Sequence, residues 1–209
     1  TRTYTKDLGN GYFEEESEEV PVYETYYETE EYEEPVYRDE PVYRMKYYFA
    51  PMEGITGHVY RNSYEKFFHN MDKYFTPFII PNESIKVNTN ELMDVLPENN
   101  KNINIVPQIL TDDSKGLIMT SRKLQKLGYD VINLNLGCPS GTVVGKGRGS
   151  GFLARREELD KFLYEIFEKN DIKISIKTRI GKDNPDEFYK LIEIYNKYPL
   201  EELIIHPRT

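Results

Sequence analysis

Cys138 is the only cysteine in the 209-residue sequence. It follows an apolar strand-like run and sits between Gly137 and Pro139, with Asn133 and Asn135 upstream and Lys146 and Arg148 downstream. A lone cysteine is usually a small buried hydrophobe. Between a strand-breaking glycine and a proline, this one is displayed at a strand tip instead of packed. Polar groups and a thiol gathered there mark a site, because a buried amide without a partner would be costly. Gln108, Lys177 and His206 stand at comparable places, each at or near the end of a short apolar run. Lys177 must be ion-paired or close to solvent, since an isolated buried ammonium is expensive. The glycines around Lys146 and Arg148 could cradle a phosphate through backbone N–H groups, although their spacing is neither GxGxxG nor a P-loop. No paired Cys or His spacing suggests a metal site.

These residues need strands to position them. Apolar runs predict strands over 47–51, 74–80, 104–110, 130–136, 172–178 and 203–206. Side chains alternate along a strand, so Val131, Asn133 and Asn135 share one face and Ile132, Leu134 and Leu136 the other. Likewise Lys173, Ser175, Lys177 and Arg179 oppose Ile172, Ile174, Ile176 and Ile180. Helices are predicted over 59–68, from Asp112 or Asp113 to about 127, over 157–168, and from Asn184 to about 195. The last has a cap, a first-turn proline at Pro185 and an acid at Glu187. Strands recurring about every 30 residues with helices between them imply right-handed βαβ units and a parallel sheet. A doubly wound sheet and a barrel both fit that pattern. Polar side chains at the ends of at least four strands favour the barrel, since a closed ring aims them at one centre.

Charge divides the chain in two. Residues 1–44 hold twelve glutamates and two aspartates against four basic residues, a balance of −10 that exceeds the whole chain's −9. The remainder is near neutral and free to carry a local basic surface for nucleic acid. Residues 1–44 also contain eight tyrosines, few aliphatic residues, and EPVYR twice, at Glu34–Arg38 and Glu40–Arg44. Such a segment cannot build a core and is expected to be a disordered acidic tail; the functional alternative is an anionic mimic or docking segment. No run is long and apolar enough for a membrane span, and no signal peptide opens the chain, so the expectation is cytoplasmic. Nothing in the sequence points to an oligomeric state.

Five blocks resemble, in order, those of the tRNA-dihydrouridine synthases, flavoenzymes that reduce particular uridines of tRNA. They are FAPMEGIT at 49–56, VPQIL at 106–110, NLNLGCPSGTVVGKGRGSGFL at 133–153, ISIKTRIG at 174–181 and LIIHPRT at 203–209. The resemblance implies an FMN-binding (β/α)₈ TIM barrel in residues 45–209. A complete barrel takes about 250 residues, so these would be its first six strands and the N-terminal portion of a larger protein. It further implies Cys138 as the general acid that protonates C5 of uracil while reduced FMN delivers hydride to C6, with NADPH or NADH as reductant. Free thiols, with a pKa of about 8.5, suit that step because they are mostly protonated at neutral pH yet able to release the proton. Ala50, Pro51, Met52, Gln108, Lys177 and His206 would contact the flavin, with Arg208 as a further candidate. Asn135 would reach flavin and uracil, and Lys146, Arg148 and Arg179 would meet the tRNA substrate.

Asn133, one pleat deeper, is expected to support Asn135 through a hydrogen bond. Arg61 matches a recurrent family arginine. His58 and His69 match nothing and are expected at the surface. The sequence departs from the family at Thr76-Pro77, where many members read Thr-Glu, leaving that acid's role absent or taken by Glu83. Two rival readings accompany this one: a flavin barrel acting on free pyrimidines, like the dihydroorotate dehydrogenases, and a non-catalytic fragment that binds RNA or a partner.

Overall fold

A computed structural model of the chain describes residues 45–81 and 89–209, together with the strand backbones Arg2–Asp7 (β1) and Phe13–Glu18 (β2). β1 and β2 pair antiparallel, in a register that sets Arg2 opposite Glu18 and Lys6 opposite Glu14. The rest of residues 1–44, and with it the expected disorder, lies outside the described residues, as does Glu83. The first 44 residues form one unit and Met45–Thr209 another.

The second unit alternates strand and helix. Its strands are Tyr48–Phe49 (β3), Lys73–Phe75 (β4), Ile105–Val106 (β5), Gln108–Ile109 (β6), Val131–Leu136 (β7), Lys173–Arg179 (β8) and Glu202–His206 (β9). The helices are His58–Phe68 (α1), Thr89–Val95 (α2), Ser114–Lys126 (α3), Gly141–Val144 (α4), Arg156–Lys169 (α5) and Glu187–Tyr195 (α6). All its strand pairs are parallel. The order β3-β4-β5 continues as β6-β7-β8-β9, bridged by the pair Ile79 and Ile109, and never reverses. A doubly wound sheet would have a switch point where the order turns back.

Three predicted strands are shorter than expected: β3 keeps two of the five residues predicted over 47–51, and the other two are cut for a shared reason. Proline has no N–H to give to a sheet. Pro107 divides the predicted third strand into β5 and β6, yet its carbonyl still accepts from Asn133 N at 2.8 Å. Pro77 ends pairing soon after β4, leaving only the bridge at Ile79 from the predicted run through residue 80.

The sheet is rolled. At the N-terminal ends of the strands, Lys73 of β4 reaches Glu202 of β9 at 3.1 Å. Three strand positions lie between them, the β5 and β6 segments sharing one, so a flat sheet would hold the two about 19 Å apart. Tyr48 of β3 completes this tie. Lys73 Nζ lies 4.6 Å from its ring centroid, and its hydroxyl is pushed up to about 12 by a hydrogen bond to Glu202, then by burial and by the charges of Glu202 and Asp72.

The convex face carries the core. Ile132, Leu134 and Leu136 of β7, with Ile174 and Ile176 of β8, pack in one cluster with Leu117 and Leu124 of α3, Leu159, Leu163 and Ile166 of α5, and Leu191 of α6. Each such side chain contributes about 1.5–3 kcal/mol on burial. Of the two candidate caps for α3, Asp113 performs the role, accepting from Lys115 N and Gly116 N at 3.0 Å. The expected start of α6 is a capping box. Asn184 Oδ1 accepts from Asp186 N at 2.9 Å, and Glu187 Oε1 accepts from Asn184 N at 2.9 Å. Among the described residues no helix is long and apolar enough to cross a membrane.

Candidate active site

The concave face is polar, and its layers follow from strand register. Gln108 of β6 pairs with Asn133 of β7, and Asn133 with Ser175 of β8. One pleat higher, Asn135 pairs with Lys177, and above that Arg179 pairs with His206 of β9. Gln108, Asn135, Cys138, Lys177, Arg179 and His206 are thereby gathered on neighbouring strand ends.

The three amides and one hydroxyl form a chain that runs in a single direction. Asn135 Nδ2 donates to Gln108 Oε1 at 2.7 Å, Gln108 Nε2 to Asn133 Oδ1 at 2.8 Å, and Asn133 Nδ2 to Ser175 Oγ at 2.9 Å. Ser175 in turn donates to the Ile132 carbonyl at 3.0 Å. Asn133 therefore supports Asn135 through Gln108 and not directly, as the sequence had suggested, because cross-strand neighbours are closer than successive residues on one face. Gln108 is anchored further by its own N–H, which donates to Thr76 Oγ1 at 3.1 Å.

Cys138 is held by its backbone. Asn135 Oδ1 accepts from both Gly137 N and Cys138 N at 3.0 Å. The Gly137 carbonyl accepts from Arg179 Nε at 3.0 Å, and the Cys138 carbonyl from Ser150 N at 3.0 Å and Ser150 Oγ at 3.2 Å. This leaves the half-buried thiol as the part of the residue not used for holding it. The glycine-rich stretch that supplies Ser150 is structured, folding into α4 and a 3₁₀ turn over Gly149–Ala154, with Gly149 to Leu153 buried. A side chain at Gly149 would collide with Cys138, so the loop can close only on a glycine.

Of the two cations in that loop, Lys146 is exposed. Arg148 is tied down, with Nε 2.9 Å from Asp112, whose other oxygen meets Arg155 at 3.1 Å. Burial alone would raise the Asp112 carboxyl, but hydrogen bonds from Arg148 and Arg155 outweigh it and hold the group below the usual carboxylate range. Asp112 and Arg155 carry no motif of their own, and no spacing rule would join residues 36 and 43 positions apart.

The Lys177 side chain is half-buried, with no hydrogen bond or ion pair among the described residues. Burial and then the charge of Arg179 lower its pKa. His206 is lowered by burial first and then by Lys177, Arg179 and Arg208, which keeps its imidazole neutral at pH 7. Arg179 also donates from Nη1 to the Thr209 carbonyl at 2.6 Å. Ala50 and Met52 are exposed in the turn after β3, Pro51 is partly covered, and Thr56 Oγ1 pins the turn to Met52 N at 2.8 Å.

Arg61 is fully buried. It joins the turn after β3 to the end of α2 by donating to Thr56 O, Asp94 O and Asn100 Oδ1 at 2.7, 2.6 and 3.0 Å. A cation is well placed at a helix C-terminus. His58, expected at the surface, is half-buried with Nδ1 3.0 Å from Asp94, because α1 packs against α2; His69 is exposed. Among the described residues no group of three or more His, Cys, Asp or Glu side chains could hold a metal ion.

The curved parallel α/β array thus sets a thiol, buried amides and the cations Lys177 and Arg179 at the C-terminal ends of neighbouring strands. The chain belongs to the dihydrouridine synthase family, whose model matches residues 48–209. It is 26% identical over 180 residues to the tRNA-dihydrouridine(16) synthase of Vibrio vulnificus, covering 79% of this chain and 54% of that protein. It is 28% identical over 171 residues to the probable tRNA-dihydrouridine synthase of Staphylococcus aureus, covering 77% and 48%. With the probable tRNA-dihydrouridine synthase 2 of Bacillus subtilis it shares 27% over 168 residues, covering 77% and 49%. The chain spans about half the length of these curated relatives.

Proposed function

We propose that this chain is the catalytic part of a flavin-dependent tRNA-dihydrouridine synthase, and that its six parallel strand positions belong to a closed (β/α)₈ barrel. The unreversed strand order and the tie between Lys73 and Glu202 support the barrel. The names of the relatives support tRNA as the substrate.

The observation that carries the cofactor reading is Lys177. A half-buried ammonium without a partner among the described residues, beside Arg179, His206 and Arg208, makes a site that accepts negative charge. FMN, whose ring accepts electrons and is anionic when reduced, fits that donor set. Lys177 and neutral His206 would hold its pyrimidine edge, the amides of Gln108 and Asn135 would orient it, and the exposed turn Ala50-Pro51-Met52 would lie along it. The chemistry this group supplies when bound is hydride delivery to C6 of uracil, with NADPH or NADH as the source of electrons.

The remaining steps belong to the protein. Cys138 holds a proton at Sγ and releases it to C5, so that hydride and proton together saturate the C5–C6 bond, and the thiolate regains its proton from solvent. The backbone contacts to Asn135, Ser150 and Arg179 fix where that proton is presented. Exposed Lys146, and the guanidinium nitrogens of Arg148 and Arg179 that have no partner among the described residues, would meet the RNA backbone.

Cys138→Ala tests the reading. Anaerobic NADPH should bleach the flavin of the variant at the wild-type rate, while reduction of uridine in tRNA lacking dihydrouridine falls by about 10²–10⁴. Wild-type turnover on tRNA would overturn the role of Cys138. A wild-type protein that takes up no FMN would overturn the cofactor.

A further inference from the structure

We infer that Ser175, which lies below the strand tips and makes no contact with Cys138, is a positioning residue for it. The inference rests on Cys138 being the proton donor, but its test does not. A carboxamide can turn over, exchanging donor for acceptor in nearly the same volume, so each of the three amides has two possible orientations. At the upper end, two N–H groups from Gly137 and Cys138 converge on one atom of Asn135, which must therefore be its oxygen. At the lower end, the Ser175 hydroxyl proton is committed to the Ile132 carbonyl, so Ser175 Oγ presents a lone pair and Asn133 must turn its NH₂ toward it. Both ends demand the same direction, and Gln108 between them has only one orientation that satisfies its two neighbours.

The Cys138 end fixes Asn135, and each link passes that orientation on only as firmly as its own bonds hold; at Asn133 the bond to Ser175 is the last of them. Ser175 is 1% exposed and Asn133 and Gln108 are fully buried, so bulk solvent does not reach the chain to accept in its place. Removing the hydroxyl leaves the Asn133 N–H without its acceptor and lets the reversed chain compete. In the reversed chain Asn135 points its NH₂ at the Gly137 and Cys138 N–H groups, and the peptide that carries the thiol is released.

Amide hydrogen exchange on the purified chain, without FMN or tRNA, reads this directly. Ser175→Ala should speed exchange at Gly137 and Cys138 by about tenfold, the factor expected from one net hydrogen bond, with Ile132 and Leu134 of β7 unchanged. Ser175→Thr keeps the hydroxyl and should return exchange to the wild-type rate. Wild-type exchange at Gly137 and Cys138 in Ser175→Ala would overturn the inference, and so would a uniform rise along β7, which would mean a merely structural role. Should the alanine variant not fold, the wild-type protein decides through its side-chain amide NOEs. Asn135 NH₂ protons near Gln108 and remote from the Cys138 N–H support the relay, and the reverse overturns it. None of these outcomes depends on turnover, so they stand apart from the fate of the proton-donor reading.

Discussion

Gly149→Ala isolates the fit between the glycine-rich turn and Cys138. Gly149 has φ of 56°, in the left-handed region. A Cβ built there would lie 2.5 Å from the Cys138 carbonyl oxygen, 2.9 Å from Val143 Cγ1 and 3.0 Å from Cys138 Cβ. The backbone conformation costs alanine roughly 1–2 kcal/mol, and the overlap, closest with the Cys138 backbone, adds about 1–3 kcal/mol. A loss of roughly 2–5 kcal/mol lowers the melting temperature of a domain this size by about 4–20 °C. Relief of the overlap must push the turn and Cys138 apart, straining the Ser150 contacts to the Cys138 carbonyl. A displacement of about 1 Å in a reacting group costs on the order of 10² in rate. The assays are thermal unfolding by circular dichroism and single-turnover reduction of tRNA uridine by pre-reduced enzyme. A variant that melts within about 1 °C of wild type would refute the packing argument. One that is destabilised but turns over normally would refute the link from this turn to the thiol.

Two further substitutions test the charges around the site. Asp112→Asn keeps the shape of the side chain and removes the charge shared by Arg148 and Arg155, at a cost of about 1–2 kcal/mol at neutral pH. Because the folded-state carboxyl is depressed, its stabilisation is complete above the unfolded value of about 3.9 and is lost as pH falls through the lower folded value. Urea midpoints of wild type and variant should therefore converge below about pH 4, and a gap constant with pH would contradict the assignment. Lys177→Met should raise the melting temperature while weakening FMN binding, since it replaces a desolvated ammonium with an apolar chain of similar length. A lowered lysine pKa means the unfolded chain binds the extra proton more readily, so the wild type should close the gap as pH rises toward the unfolded value. A variant less stable than wild type at neutral pH would mean that Lys177 has a partner after all.

Strand and helix positions were legible because alternation and caps are local. VINLNL and KISIKTR declare two faces within six or seven residues, and both strands form there. Pro107 and Pro77 were visible too, but whether a proline interrupts a strand depends on which neighbour needs its N–H, and that is a tertiary fact. Among the candidate site residues, Gln108, Asn135, Lys177 and His206 stood out in the sequence because they lie on strand-like runs inside the blocks that carry the family resemblance. Ser175 lay on the right face of β8 and was passed over, since only the register with Asn133 reveals its task. The pairing of Asp112 with Arg148, the burial of Arg61 and the contact of His58 with Asp94 all join segments more than 30 residues apart. No local pattern encodes those meetings.

The tie between Lys73 and Glu202 carries a consequence for how the chain folds. Neighbouring strands of the array are separated by one or two helices, so each pairing closes a short loop and can form early. The tie closes a segment of 129 residues and needs every strand between its ends already in place. It is therefore a late event on the folding pathway, and its loss should quicken unfolding more than it slows folding. Until it forms, the polar inner face of the sheet has not been gathered around a centre.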